Sequence, residues 1–182
     1  MSQRELPDPM KITAHISIVL LVLGLGIGAA VRAQAPQATM HVPANDAEYV
    51  EMMAMHHDQG IQMAEIATRK AADAGVKQLA TRIVDAQRKE LKELDALRAK
   101  PTGKPGPAHA MKPMPMDHLD KSSGREFDRM FLSMMRDHHR DAVKMSREAK
   151  LTAAPVKNFA RRTVASQGKE IKEMDVMLKR IG

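Results

Sequence analysis

Between residues 76 and 97, apolar side chains recur at heptad spacing: Val76, Ala80, Ile83, Leu94 and Leu97, with Gln87 and Glu90 interrupting the stripe at its middle. Residues 156–177 repeat it as Val156, Ala160, Thr163, Met174 and Met177, with Gln167 and Glu170 at the same two levels. A stripe with this spacing lies on one face of a helix and turns toward a core. Upstream of each stripe runs a second helical face, Met53, Gly60, Met63 and Ala67 in one case and Met135, Ala142, Met145 and Ala149 in the other. The pattern predicts four helices, from about Asn45 to Arg69, Val76 to Arg98, Ser123 to Lys150 and Pro155 to Arg180. Asn45 with Glu48, and Ser123 with Glu126, read as capping boxes, and Pro155 fits a first helical turn.

The chain is an internal duplication. Asp46, Tyr49, Met53, His56, His57, Gly60 and Met63 return 82 residues later as Asp128, Phe131, Met135, His138, His139, Ala142 and Met145. The following stretch, including Gln87, Glu90 and Asp95, returns 80 residues later as Gln167, Glu170 and Asp175. Each copy is therefore one supersecondary unit. Short connections inside each copy make it an antiparallel hairpin. The expected fold is all-α, a four-helix bundle over 45–182 with hairpin one at 45–98, a Pro/Met/His linker at 99–122 and hairpin two at 123–181. From Pro101 to Lys121 the prolines exclude a helix. The aromatics after residue 33 are Tyr49, Phe127, Phe131 and Phe159, so Ala, Leu, Ile, Val and Met must fill the core, which favours close helix packing.

Residues 1–33 read as a secretory leader. Met10-Lys11 opens a basic start, Ile16 to Ala30 is apolar, and Val31-Arg32-Ala33 supplies small residues at the −3 and −1 places of a cleavage site. The run is short for a membrane span, so no stable insertion is expected after cleavage. Cleavage after Ala35 would put Pro36 at the +1 place. The acidic, proline-containing stretch before Met10 suggests that Met10 is the initiator. Residues 34–44 are expected to be flexible, and the protein periplasmic or secreted.

The full chain carries a formal net charge of +7, and +6 once Arg4, Lys11, Arg32, Glu5 and Asp8 are set aside with the leader. Lys and Arg alternate with Glu and Asp along the helices, which reads as a solvated face, and with so few aromatics no nucleic-acid partner is expected. There is no cysteine, so thiolate sites are excluded and soft-metal chemistry falls to methionine, of which 14 remain after Met1 and Met10 are removed.

Burying Glu90 and Glu170 without partners would be costly, and His56, His57, His138 and His139 are the candidate partners. Adjacent histidines project about 100° apart on a helix, so one of each pair is expected inward and the other beside the seam, with Gly60 and Ala142 leaving room. Imidazole suits Cu(II) and thioether suits Cu(I), so the His pairs with Met53, Met63, Met135 and Met145 read as a copper site that leaves room for another transition metal. Glu90 and Glu170 would orient ligating imidazoles or ligate themselves. The linker adds His109, Met111, Met114, Met116 and His118, a segment suited to wrapping Cu(I) because its methionines have no core to fill. A polar core layer in a structural or adaptor bundle is the rival reading. A metal oxidase is another, but its Glu-x-x-His pairs are absent.

Asp46, Tyr49, Met53, His56-His57 and Met63-Ala64, followed by Gln87-x-x-Glu90, resemble the signature of the domain-of-unknown-function 305 family, and the second copy resembles it again. The resemblance covers nearly all of residues 45–180. It implies a ferritin-like four-helix bundle, periplasmic export and, for some members, copper binding and copper tolerance. The chain departs from that pattern at Gly60, at Ser146 and at Arg136-Asp137, which adds charge before the second His pair. The functional expectation is an exported, non-catalytic copper-binding protein that sequesters copper or exchanges it with another periplasmic carrier, with self-association allowed.

Overall fold

The computed structural model describes residues 41–99 and 116–182. Five helices are present there: α1 (Asp46–Lys70), α2 (Ala74–Arg98), α3 (Asp117–Lys121), α4 (Gly124–Glu148) and α5 (Ala154–Ile181). The four long ones coincide with the four expected from periodicity. The leader, its cleavage site and the linker residues His109, Met111 and Met114 lie outside the described residues. No described helix is long and apolar enough to cross a membrane.

Helices α1 and α2 form one antiparallel hairpin and α4 and α5 the other. The hairpins meet mainly along α1 and α4, while α2 and α5 touch at few points. Surface ion pairs bridge that second seam, Arg82 with Glu173 and Arg162 with Glu93. The repeated aspartates tie each hairpin to the other's turn. Asp46 accepts from the backbone N–H groups of Thr152 and Ala153, and Asp128 accepts from those of Ala72 and Asp73.

Local signals explain the helix starts in part. The Asn45 side chain accepts from the Glu48 N–H at 2.9 Å, and Asp73 from the Val76 N–H at 3.1 Å. Ser123 stands at the N-cap of α4 but makes no side-chain cap bond, so that expected capping box does not form. Gly124, with φ of 59°, turns the chain there into α4, a conformation glycine adopts freely.

Two expectations about non-helical segments fail. Residues 41–44 are not free chain: Pro43 is buried, its carbonyl accepts from the Lys150 N–H, and Ala44 N–H donates to Glu48. The linker's last residues are helical, because Leu119 is fully buried in the core beside Phe127 and Phe131 and anchors α3 there. Lys70 reaches over the Phe127 ring and donates to the carbonyls of Leu119 and Asp120, neutralising the end of α3.

The core is divided in two. One apolar cluster gathers Met63, Leu79, Ile83, Leu119, Phe127, Phe131 and Met135, and the other Tyr49, Met53, Leu94, Met145 and Phe159. Between them in the sequence of every long helix lie His56-His57, Gln87-x-x-Glu90, His138-His139 and Gln167-x-x-Glu170.

Candidate metal centre

The helical offset between adjacent residues sends the two histidines of each pair to different neighbours. His56 faces α4 and meets His138, with ring centroids 3.6 Å apart and planes inclined by 31°. His57 faces α2, and its Nε2 lies 2.8 Å from Glu90. On α4, His138 Nε2 lies 3.0 Å from the His56 carbonyl, and His139 Nε2 lies 2.7 Å from Glu170 on α5. All four rings are buried, at 0–2% exposure: His56 and His138 meet in the α1–α4 seam, and His57 and His139 lie beside it, as the helical offset suggested. The reason is the duplication: α1 and α4 are both interior to the inter-hairpin seam, and each has a second helix covering its other side.

Hydrogen bonding places a proton on one nitrogen of three of these rings. A carbonyl or carboxylate only accepts, so Nε2 carries the proton in His57, His138 and His139. No Nδ1 of the four histidines has a hydrogen-bond partner. A histidine held by a carboxylate on one nitrogen and bare on the other has the arrangement of a metal ligand with its orienting group. Glu90 and Glu170, each 22% exposed, are the members of the layer that reach solvent.

Burial keeps the facing rings neutral. His56 is held well below the ordinary histidine range, first by loss of solvent and then by the neighbouring His138, His57 and His139. His138 is pushed down to about 3, again chiefly by burial and next by His139. Neutral imidazole is the form that binds metal. Among the described residues no three His, Asp or Glu side chains already converge as a cage. The layer offers imidazole donors and no full carboxylate shell for a hard cation. It contributes Glu90 and Glu170 as carboxylates, one per hairpin, which falls short of a di-iron site.

Sequence reasoning noted Gln87 and Gln167 without assigning them to the site. Both are 2% exposed with amide oxygen and nitrogen unpartnered. Their recurrence at one level of both stripes was the signal. The space at Gly60 is also not spare. A Cβ there would come within 2.5 Å of Gln87 Oε1 and 2.8 Å of His138 Cε1, so the glycine admits those two groups. Met53, Met63, Met135 and Met145 are core residues in the apolar clusters above and below the histidines. Met116 packs against the core instead of hanging free, and His118 is exposed. The charge added by Arg136-Asp137 turns outward, Arg136 pairing with Asp137 and Asp175.

The sequence profile of a family described as a domain of unknown function, DUF305, matches residues 46–178. The chain belongs to the DUF305 family. Among solved structures it is similar to CopM in the Cu(II)-bound form, with 31% identity and a TM-score of 0.67 over 76% of this chain and 99% of that one. CopM in the Cu(I)-bound form matches with 31% identity and a TM-score of 0.66 over 75% and 96%. A DUF305 protein of Streptomyces coelicolor, proposed to be secreted, matches with 28% identity and a TM-score of 0.65 over 75% and 92%. No curated protein matches the chain. The DUF305 likeness thus extends over both hairpins, including all four histidines.

Proposed function

We propose that this DUF305 protein is exported and binds copper, holding it or passing it to another carrier without catalysing a reaction on it. The observation that carries the reading is the set of four buried, partnerless Nδ1 atoms, three of them on rings whose opposite nitrogen is already hydrogen-bonded. An unsatisfied buried polar group costs about 1–3 kcal/mol, and folded domains are stable by only about 5–15 kcal/mol. With both glutamine amides in the same layer, a core left in that state for its own sake would be a heavy burden. A polar or cationic guest relieves it. Imidazole and nearby thioether favour copper among such guests. The copper-bound forms of CopM, a relative covered almost end to end, support the choice of metal.

Ligation is assigned to His56, His57, His138 and His139, with Glu90 and Glu170 orienting His57 and His139. Met111 and Met114 in the linker, with Met116 at its edge, serve as a separate capture point for Cu(I). The leader at residues 1–33 directs export. The test is the metal content and intact mass of protein exported from copper-grown cells, purified without a histidine tag. Copper retained through desalting, on a chain starting at Gln34, is the expected result. Protein that carries no copper and takes none up on reloading overturns the reading.

A further inference from the structure

A groove of about 720 Å³ runs between α4 and α5 on hairpin two. Arg140, Lys144, Arg147, Lys169 and Lys172 line it, against a single carboxylate, Glu148. Val143, Val164 and Ile171 give it an apolar floor. It continues into a second recess of about 540 Å³ that shares Arg147 and Val164 and adds Lys157 and Arg161. Arg140 is engaged by Asp137 and Asp175, whereas Arg147, Lys157, Lys169 and Lys172 make no salt bridge among the described residues.

The duplication shows what this surface would be by default. Arg147 and Gly168 correspond to Glu65 and Arg88 of hairpin one, which form an ion pair of 2.5 Å across the equivalent groove. In hairpin two the acid has become a base, and the arginine has become a glycine with nothing within 4 Å of where its Cβ would stand. Arg140 likewise replaces Asp58, and Ala165 replaces Asp85. One copy has its groove bridged by its own side chains, and the other has it opened and made cationic.

We infer that the α4–α5 groove of hairpin two is a docking site for an acidic amphipathic helix of another protein. Cations on both walls above an apolar floor match a helix with one apolar stripe flanked by Glu and Asp. The stretch of α5 from residue 157 to 172 gives a seat about 22 Å long at 1.5 Å per residue, room for about four turns. A second copy is a poor occupant, because a chain of net charge +6 without its leader would bring like charges to a cationic groove. A bilayer surface is flat, while the apolar residues here lie at the bottom of the groove.

The probe is a synthetic helix of about four turns with a Leu stripe flanked by Glu, labelled for anisotropy, titrated with the whole exported protein. Saturable binding is expected, weakening about tenfold between low and moderate salt. A scrambled peptide of the same composition should bind at least about tenfold more weakly. The double variant Arg147→Glu/Gly168→Arg rebuilds the hairpin-one ion pair in hairpin two and should lose binding by a similar factor while keeping its melting temperature and its copper uptake. If that variant folds poorly, Lys169→Glu/Lys172→Glu, at exposed positions, should show the same loss. The inference is overturned if neither variant weakens binding, if the scrambled peptide binds as well, or if the peptide fails to bind while phosphatidylglycerol vesicles do. Copper uptake is read separately, so failure here is distinguishable from failure of the metal-binding proposal.

Discussion

Tyr49 and Phe131 occupy equivalent places in the two repeats, and so do Ala64 and Ser146. The structure explains the joint change. The Tyr49 phenol meets the Ser146 hydroxyl at 2.8 Å across the α1–α4 seam, so a Tyr–Ser pair in one place stands for a Phe–Ala pair in the other. Burial pushes the phenol up to about 12, which keeps it neutral. Ser146→Ala should cost about 1 kcal/mol, and adding Tyr49→Phe should restore most of it by copying the other pair. Urea unfolding of the two single and one double variants checks this; additive losses would contradict it. His138 gives a pH prediction. Its folded value near 3 lies below the ordinary 6.5, so its contribution is present above pH 6.5 and is lost as acid protonates the unfolded chain but not the native one. At pH 5 His138 alone removes about 2 kcal/mol of apo-protein stability, with His56 acting in the same direction. The drop in urea midpoint from pH 7.5 to 5 should shrink in His138→Gln, and an undiminished drop would contradict the burial argument. The identity of these residues was legible because they occur twice. Their orientation was not, because the sequence gives helix phase but not which neighbours surround α1 and α4.

At the scale of elements, periodicity located the four long helices because each carries one apolar face over about seven turns or more. It missed α3. Five residues among prolines and methionines carry no readable period, and a single Leu decides the matter by being buried. Leu119→Ala should therefore cost about 2–5 kcal/mol, as for other buried leucines, whereas Leu151→Ala at a half-buried turn should cost far less. Equal and small losses in thermal melts would show that α3 does not belong to the core. The repeated aspartates were legible as a motif but not as ties, since their partners are backbone groups of the opposite hairpin's turn. Asp128→Ala strips partners from the Ala72 and Asp73 N–H groups, and about 1–3 kcal/mol of destabilisation is expected. Asp46→Ala should behave alike, and a loss confined to one of the pair would break the equivalence.

For the whole molecule, duplication sets the design. Two hairpins that each bury one side of a histidine pair meet along α1 and α4, and their polar levels coincide between two apolar clusters. The family, fold and histidine level were readable from the chain. The depth of the layer was not, because four partnerless Nδ1 atoms arise only when both hairpins are assembled. The central claim is that this layer binds copper, and the most direct measurement compares wild type with a variant carrying His56→Gln, His57→Gln, His138→Gln and His139→Gln. Cu(I) and Cu(II) affinities at pH 7.5 are to be measured beside apo thermal melts. The variant is expected to melt cooperatively and to lose Cu(II) binding, keeping only the Cu(I) captured by the linker methionines. Unchanged Cu(II) affinity with a lowered melting temperature would contradict it and leave the histidines as a structural polar layer.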